Sequence, residues 1–292
     1  MGAQTIALIG AGTMGRGIAR VALRRGFNVA LFDTNSEVLR RVAVDPDMPS
    51  ASTAEGGNLA VVDSIASAVD GAVAVIESVV ESELVKAAVL KEVALATHPD
   101  VLLATNTSTF SIAKLAAAAG CSGRLVGMHF FNPAEKMRLV EVAVADGVPD
   151  RYIRRCTDLC EALGKTPVVV KDSPGFVTSR LGLLLGNEAM YLVASGVASA
   201  GVIDLAMRLG YNHPMGPLEL ADLVGLDARL NNLNALSTAL GDERYRPPQI
   251  LIDLVDEGYL GRKSGRGFYL YDDTGSKLDA DPPVLTISGG SQ

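Results

Sequence analysis

The stretch Gly10-Ala11-Gly12-Thr13-Met14-Gly15 constrains this chain more than any other part of it. It follows an apolar β-type run, Thr5–Ile9, and opens an amphipathic run, Met14–Arg25, so its glycines stand at a strand-to-helix turn. Gly10 would permit the tight turn, Gly12 would let the backbone approach a pyrophosphate, and Gly15 would let helix and strand pack closely. A glycine-rich turn without a ligand would have the same spacing. Asp33 separates the readings, because it follows the next β-type run, Asn28–Phe32, at roughly the 20-residue distance where an acid takes ribose hydroxyls. An acid there repels a 2′-phosphate, and Thr34-Asn35 supply no arginine to receive one, so the expected dinucleotide is NAD rather than NADP.

From residue 5 to about 170, short β-rich runs alternate with amphipathic ones, as βα units building a mostly parallel sheet do. The expected strands are Thr5–Ile9, Asn28–Phe32, Val73–Glu77, Val101–Thr105, Leu125–Phe130, Leu139–Val144 and Pro167–Val170, with helices over Met14–Arg25, Glu83–Ala96 and Tyr152–Leu163. Beyond Asp172-Ser173-Pro174-Gly175 the rhythm becomes helical, over Phe176–Val193, Val202–Leu209 and Leu218–Leu240, with Pro174 suited to a first helical turn. The expected fold class is α/β: a doubly wound Rossmann-type N-terminal domain over residues 1–172, then an all-α domain over 173–272. Residues 273–292, with little periodicity, read as a surface tail.

A net charge of −7, with no basic run interleaved with aromatics, argues against a nucleic-acid partner. No run of 18 apolar residues suggests a membrane span, and no signal peptide is visible, so the expected location is cytoplasmic. Cys121, Cys156 and Cys160 make neither an even disulfide set nor a metal pattern with nearby histidine, and no metal is expected.

His129 ends the apolar run Leu125-Val126-Gly127-Met128-His129-Phe130, which puts it at the carboxyl edge of a strand, where open α/β sheets bind ligands. A hydrogen-bonded structural histidine would look the same in sequence. Glu141 interrupts the apolar strand Leu139-Val140-Glu141-Val142. Either it is buried and paired, with His129 the economical partner, or it faces solvent from an edge strand.

Taken in order, Gly10–Gly15, Asn106-Thr107-Ser108, His129-Phe130-Phe131-Asn132-Pro133, Leu139-Val140-Glu141-Val142, Asp172-Ser173-Pro174-Gly175-Phe176, Pro214-Met215-Gly216-Pro217 and Gly261-Arg262-Lys263-Ser264-Gly265-Arg266-Gly267-Phe268-Tyr269 resemble the L-3-hydroxyacyl-CoA dehydrogenase family. The resemblance implies NAD-dependent oxidation of a 3-hydroxyacyl thioester, or its reversal, with His129 as acid/base and Glu141 orienting it. It implies that Ser108 bonds the reacting oxygen, and that Ser179 stands where the family commonly has a substrate-binding Asn. It also implies that Gly10, Gly12, Met14, Gly15, Asp33, Glu81, Lys86, Asn106, Asn132 and Lys263 line the cofactor site, and that the helical domain forms a homodimer.

One departure bears on substrate. Between Asp33 and Val73 the family inserts a long basic helical hairpin that helps hold coenzyme A; here the segment is shorter and its stretch Asp45–Gly57 carries Asp45, Asp47, Glu55, two prolines and two glycines. Coenzyme A therefore loses a wall, and an acyl group on an acyl carrier protein, or a free hydroxy acid, becomes the alternative substrate. A relative that keeps the fold and has lost turnover is the reading from another class.

Overall fold

A computed structural model describes residues 3–45, 47–49 and 56–278, which divide into two compact units meeting at Phe176/Val177. The first unit runs β1 (Thr5–Ile9), α1 (Thr13–Arg24), β2 (Asn28–Phe32), α2 (Ser36–Ala43), β3 (Leu59–Val61), α3 (Ile65–Val69), β4 (Ala72–Glu77), α4 (Glu83–Ala96), β5 (Leu102–Thr105), α5 (Ile112–Ala119), β6 (Leu125–Phe130), β7 (Leu139–Val144), α6 (Asp150–Ala162) and β8 (Thr166–Lys171).

These strands form one sheet in the order β3-β2-β1-β4-β5-β6-β7-β8. Pairing is parallel except between β6 and β7. The chain winds outward from β1 in one direction through β2 and β3, then in the other through β4, β5 and β6. The gap between the carboxyl ends of β1 and β4 is therefore the switch point at which such sheets take ligands. Strands covered on both faces read as continuous apolar runs, and every residue of β6 is buried. Ile6, Leu8, Leu31, Ile76, Leu103 and Val126 lie in that core.

Two features depart from expectation here. β3, with α2 and α3 beside it, arises in a segment for which no element was named; three residues are too few to show an alternation. Pro174 does not open a helix: Phe176 N–H closes onto Ser173 O in a turn, and the helix starts at Thr178. Asp172 meanwhile accepts hydrogen bonds from the Ser111 hydroxyl and from Ile112 and Ala113 N–H, so it caps α5 and belongs to the first unit. The expected hairpin loss concerns a stretch where α2, β3 and α3 are described and where residues 46 and 50–55, Glu55 among them, lie outside the described residues.

The second unit comprises α7 (Thr178–Ala194), α8 (Ala200–Tyr211), α9 (Pro217–Val224), α10 (Leu226–Leu240) and α11 (Gln249–Asp256) around Met190, Leu218, Leu226, Leu233 and Leu251. The segment expected as one helix over Leu218–Leu240 is two, because Gly225 at φ +103° takes a conformation that L side chains rarely adopt. Gly216 offers no side chain to cap α9, and Asp204 of α8 replaces it, accepting from Leu218 and Glu219 N–H. The described part of the expected tail folds back: Lys277 pairs with Glu219 at 2.9 Å, while residues 279–292 lie outside the described residues. No helix among the described residues is long and apolar enough to cross a membrane.

Candidate active site

The glycine turn is built as its spacing implies. Gly10 has φ +107°, and a Cβ on it would sit 2.5 Å from the Ser78 carbonyl oxygen; one on Gly15 would sit 1.9 Å from the Gly10 carbonyl oxygen. Packing therefore demands glycine at both positions. Gly12 differs: nothing lies within 4 Å of its Cβ position, so no protein atom requires its bareness. Open space there, in front of a helix whose first turn carries no acidic residue and whose N-cap has no side-chain bond, fits a pyrophosphate approaching free N–H groups. Met14 is half-buried against the core beside this turn.

Asp33 follows β2 and accepts from Ala11 N–H at 2.7 Å through one oxygen and from Asn35 N–H at 2.8 Å through the other. Its carboxylate is thus fixed to the glycine turn itself. The Asn35 side-chain oxygen caps α2, accepting from Glu37 and Val38 N–H.

His129 and Glu141 are register partners across the β6–β7 pair. Nδ1 of the imidazole lies 2.9 Å from Oε2 of the carboxylate, and the residues are 6% and 1% exposed. The two readings of Glu141 are thereby separated in favour of the buried pair. Antiparallel β7 achieves this by starting where β6 ends, so its third residue falls at the same sheet edge as the histidine. Phe131 and Phe176 ring centroids at 4.5 and 5.9 Å flank the imidazole. With Nδ1–H donating to Glu141, the lone pair is on Nε2 and the ring can accept a proton there.

At the ends of β4 and β5, Asn106 holds the edge together, accepting from Phe130 N–H at 2.9 Å and donating to the Ser78 hydroxyl at 3.2 Å. Glu81 Oε1 gathers the next turn, accepting from the Thr107 hydroxyl, Ser108 N–H and the Thr109 hydroxyl. Lys86 is fully buried, with Nζ 2.9 Å from Glu77 and 3.3 Å from Glu81. It stands behind the surface rather than on it. Asn132 is exposed at the end of the His129 strand, ahead of a cis peptide bond to Pro133.

The second unit holds the remaining two expected residues. Ser179 is the second residue of α7 and half-buried. Lys263 donates to both oxygens of Asp227 at 2.6 Å, and that hydrogen bond holds the Asp227 carboxyl below its usual range.

Sequence reasoning missed Glu77, Asp172, Asp204 and Asp222. Glu77 carried the same signal as Glu141, an acid in an apolar strand; the other three act on backbone distant in sequence, which no local pattern reveals.

A doubly wound unit with an open glycine turn, a fixed acid after its second strand and a buried imidazole–carboxylate pair defines a dinucleotide-dependent dehydrogenase. Two family models cover nearly all of the described chain: "3-hydroxyacyl-CoA dehydrogenase, NAD binding domain" matches residues 5–173, and "3-hydroxyacyl-CoA dehydrogenase, C-terminal domain" matches 175–271. The chain belongs to the 3-hydroxyacyl-CoA dehydrogenase family, and NAD is its cofactor. It is 41% identical to a "Probable 3-hydroxybutyryl-CoA dehydrogenase" of Deinococcus radiodurans over 90% of this chain and 99% of that one. It is 38% identical to a 3-hydroxybutyryl-CoA dehydrogenase of Bradyrhizobium diazoefficiens, over 92% and 95%. Its structure resembles that of (S)-3-hydroxybutyryl-CoA dehydrogenase from Ralstonia eutropha, with TM-score 0.83, 36% identity and coverage of 93% and 100%.

Proposed function

We propose that this enzyme oxidises a short 3-hydroxyacyl thioester, with 3-hydroxybutyryl-CoA the first candidate, to the 3-oxoacyl thioester, or runs the reverse reaction. The observation that carries this reading is the His129–Glu141 pair at the sheet edge, 2.9 Å apart and buried. Nε2 takes the hydroxyl proton while the hydrogen on the same carbon leaves with the C–H bonding electrons as hydride and the carbonyl forms; Glu141 stabilises the imidazolium and holds the tautomer. Bound NAD supplies the hydride acceptor. Ser108 bonds the reacting oxygen, with Ser179 contributing from α7. Gly10, Gly12, Met14, Gly15, Asp33, Asn106, Asn132 and Lys263 form the cofactor set, with Glu81, and with Lys86 acting from behind it.

Exposed Leu181, Leu185, Val202, Leu205 and Leu209 on α7 and α8 support assembly as a homodimer through the helical unit. Three free, buried cysteines suit a reducing cytoplasm. The test is NAD reduction with 3-hydroxybutyryl-CoA, the same acyl group on a pantetheine analogue, the acyl carrier protein conjugate and free 3-hydroxybutyrate. Turnover of the thioesters alone is expected. A kcat/KM near-equal for the coenzyme A and pantetheine esters favours the carrier-protein substrate, and turnover of the free acid alone overturns the thioester reading.

A further inference from the structure

We propose that Glu77 is a positioning residue, which through Lys86 and Glu81 sets the place of Ser108; the catalytic part of this rests on the reading of Ser108 given above. Glu77 ends β4 and, like Lys86 of α4 and Thr105 of β5, has no exposed surface. Its Oε1 accepts from Val79 N–H at 2.7 Å and from Lys86 Nζ at 2.9 Å, and its Oε2 accepts from the Thr105 hydroxyl at 2.6 Å. The carboxylate is thus anchored to two strands and to the backbone of the loop that leaves β4. Lys86 Nζ also reaches the carbonyl oxygens of Val79 at 3.5 Å and Asn106 at 3.4 Å, one on each loop.

The remaining reach of Lys86 goes to Glu81, the one member of the chain that meets solvent, its side chain 39% exposed. Glu81 in turn holds all three residues of the turn after Asn106: the Thr107 hydroxyl at 2.6 Å, Ser108 N–H at 3.1 Å and the Thr109 hydroxyl at 3.2 Å. A line of hydrogen bonds, joined between Lys86 and Glu81 by an ion pair at 3.3 Å, therefore runs from the sheet interior to Ser108. A buried ion pair is a poor way to gain stability, since apolar groups of like volume do as well. What this one supplies is direction: it fixes the Glu81 carboxylate, a group that otherwise has a rotamer choice at every χ angle, against a floor that cannot move. Where a reacting oxygen must be met within a fraction of an ångström, that fixation governs rate.

The experiment compares Lys86→Met, the double variant Glu77→Gln/Lys86→Met, Ser108→Ala and the triple combination, with thermal midpoint, kcat and KM for 3-hydroxybutyryl-CoA, and amide hydrogen exchange. Lys86→Met lowers the midpoint and kcat together. The double variant, neutral again in its core, regains the midpoint, while kcat stays down by about 10- to 100-fold with KM little changed. In the Ser108→Ala background the same double substitution costs less than about threefold more, since both act through one group. Recovery of kcat along with the midpoint, or a multiplicative loss on top of Ser108→Ala, overturns the proposal. Exchange gives a readout that needs no substrate: Ser108 N–H exchanges faster in the double variant while Ile6 to Ile9 do not change. Glu81→Gln, a change at the solvent end that leaves the core intact, must speed the same amide. Unchanged exchange in both overturns the relay. If no thioester is turned over by the wild type, the exchange result still decides the relay, and only the assigned reaction fails.

Discussion

Nδ1 of His129 and Oε2 of Glu141 lie 2.9 Å apart because their Cα atoms are partners across the antiparallel β6–β7 ladder. Side chains directly opposite on one face of such a pair meet without any loop having to be ordered. If His129 is the acid/base proposed, its replacement by Ala removes that group and leaves the glycine turn untouched. The expected loss in kcat is about 10²- to 10⁴-fold, with the NAD dissociation constant changed less than about threefold. Stopped-flow turnover and calorimetric NAD titration check the two halves, and a kcat loss below about tenfold rejects the assignment. Glu141→Gln keeps an acceptor oxygen and removes the charge, so a smaller loss is expected.

Gly12 and Gly15 make a matched pair of probes. An added Cβ at Gly15 meets the Gly10 carbonyl at 1.9 Å, so Gly15→Ala must push helix and strand apart. Overpacking of this kind costs roughly 1–3 kcal/mol, and the thermal midpoint falls. An added Cβ at Gly12 meets nothing, and its φ of −64° suits alanine, so Gly12→Ala leaves the midpoint near that of the wild type. NAD affinity nonetheless drops, by on the order of tenfold or about 1.4 kcal/mol, because the methyl group takes the space the pyrophosphate needs. Unchanged NAD affinity in Gly12→Ala contradicts the placement of the phosphates.

On the proposed cofactor placement Asp33 serves both cofactor choice and turn geometry, since the carboxylate assigned to the ribose also holds Ala11 N–H at 2.7 Å. NADP is expected to bind at least about tenfold more weakly than NAD, as a 2′-phosphate would meet this charge. Asp33→Ala narrows that gap mainly by weakening NAD. Asp33→Asn, which can still accept from Ala11, narrows it with less harm to NAD. Equal affinity of the wild type for both dinucleotides removes the basis for the prediction.

What could be read from sequence was whatever repeats within a few residues. Thr5–Ile9, Asn28–Phe32, Leu125–Phe130 and Leu139–Val144 are strands to the residue, since continuous apolar runs flanked by turn residues leave few other options. The His129–Glu141 pairing was also legible, as one buried acid and one histidine at a strand end have few other partners. Three-residue β3 was not, nor was the break at Gly225, since a lone glycine inside a helical pattern is ordinarily tolerated. Helix caps supplied from afar stayed invisible too: Asp172 serves Ile112, and Asp204 serves Leu218, across tertiary structure that periodicity does not encode.

Asp222 makes the stability of the helical unit depend on pH. Its oxygens accept from Phe268 N–H and Tyr269 N–H, each at 3.0 Å, and from the Tyr271 hydroxyl at 3.1 Å, tying the closing segment to α9. Burial pushes its carboxyl up to about 6 from an ordinary 3.8; the three donors pull down, and nearby Asp204 pushes up. Since the folded value lies above the unfolded one, the folded state binds more protons across this window. The contribution is fully present below pH 4 and is lost as pH rises through 6, and its size is on the order of 2–3 kcal/mol. Asp227, Asp242 and Asp272, held below the usual range, act in the opposite sense, losing stability as pH falls below about 4, so the two effects separate on the pH axis. Every tyrosine but Tyr152 lies in the second unit, and near-ultraviolet circular dichroism therefore follows its unfolding. Urea midpoints taken from pH 4 to 7 should fall more steeply in the wild type than in Asp222→Asn. The variant is also less stable at pH 4, because its amide presents two donors to groups that need acceptors. Parallel pH slopes in the two proteins would show that Asp222 does not titrate in this range.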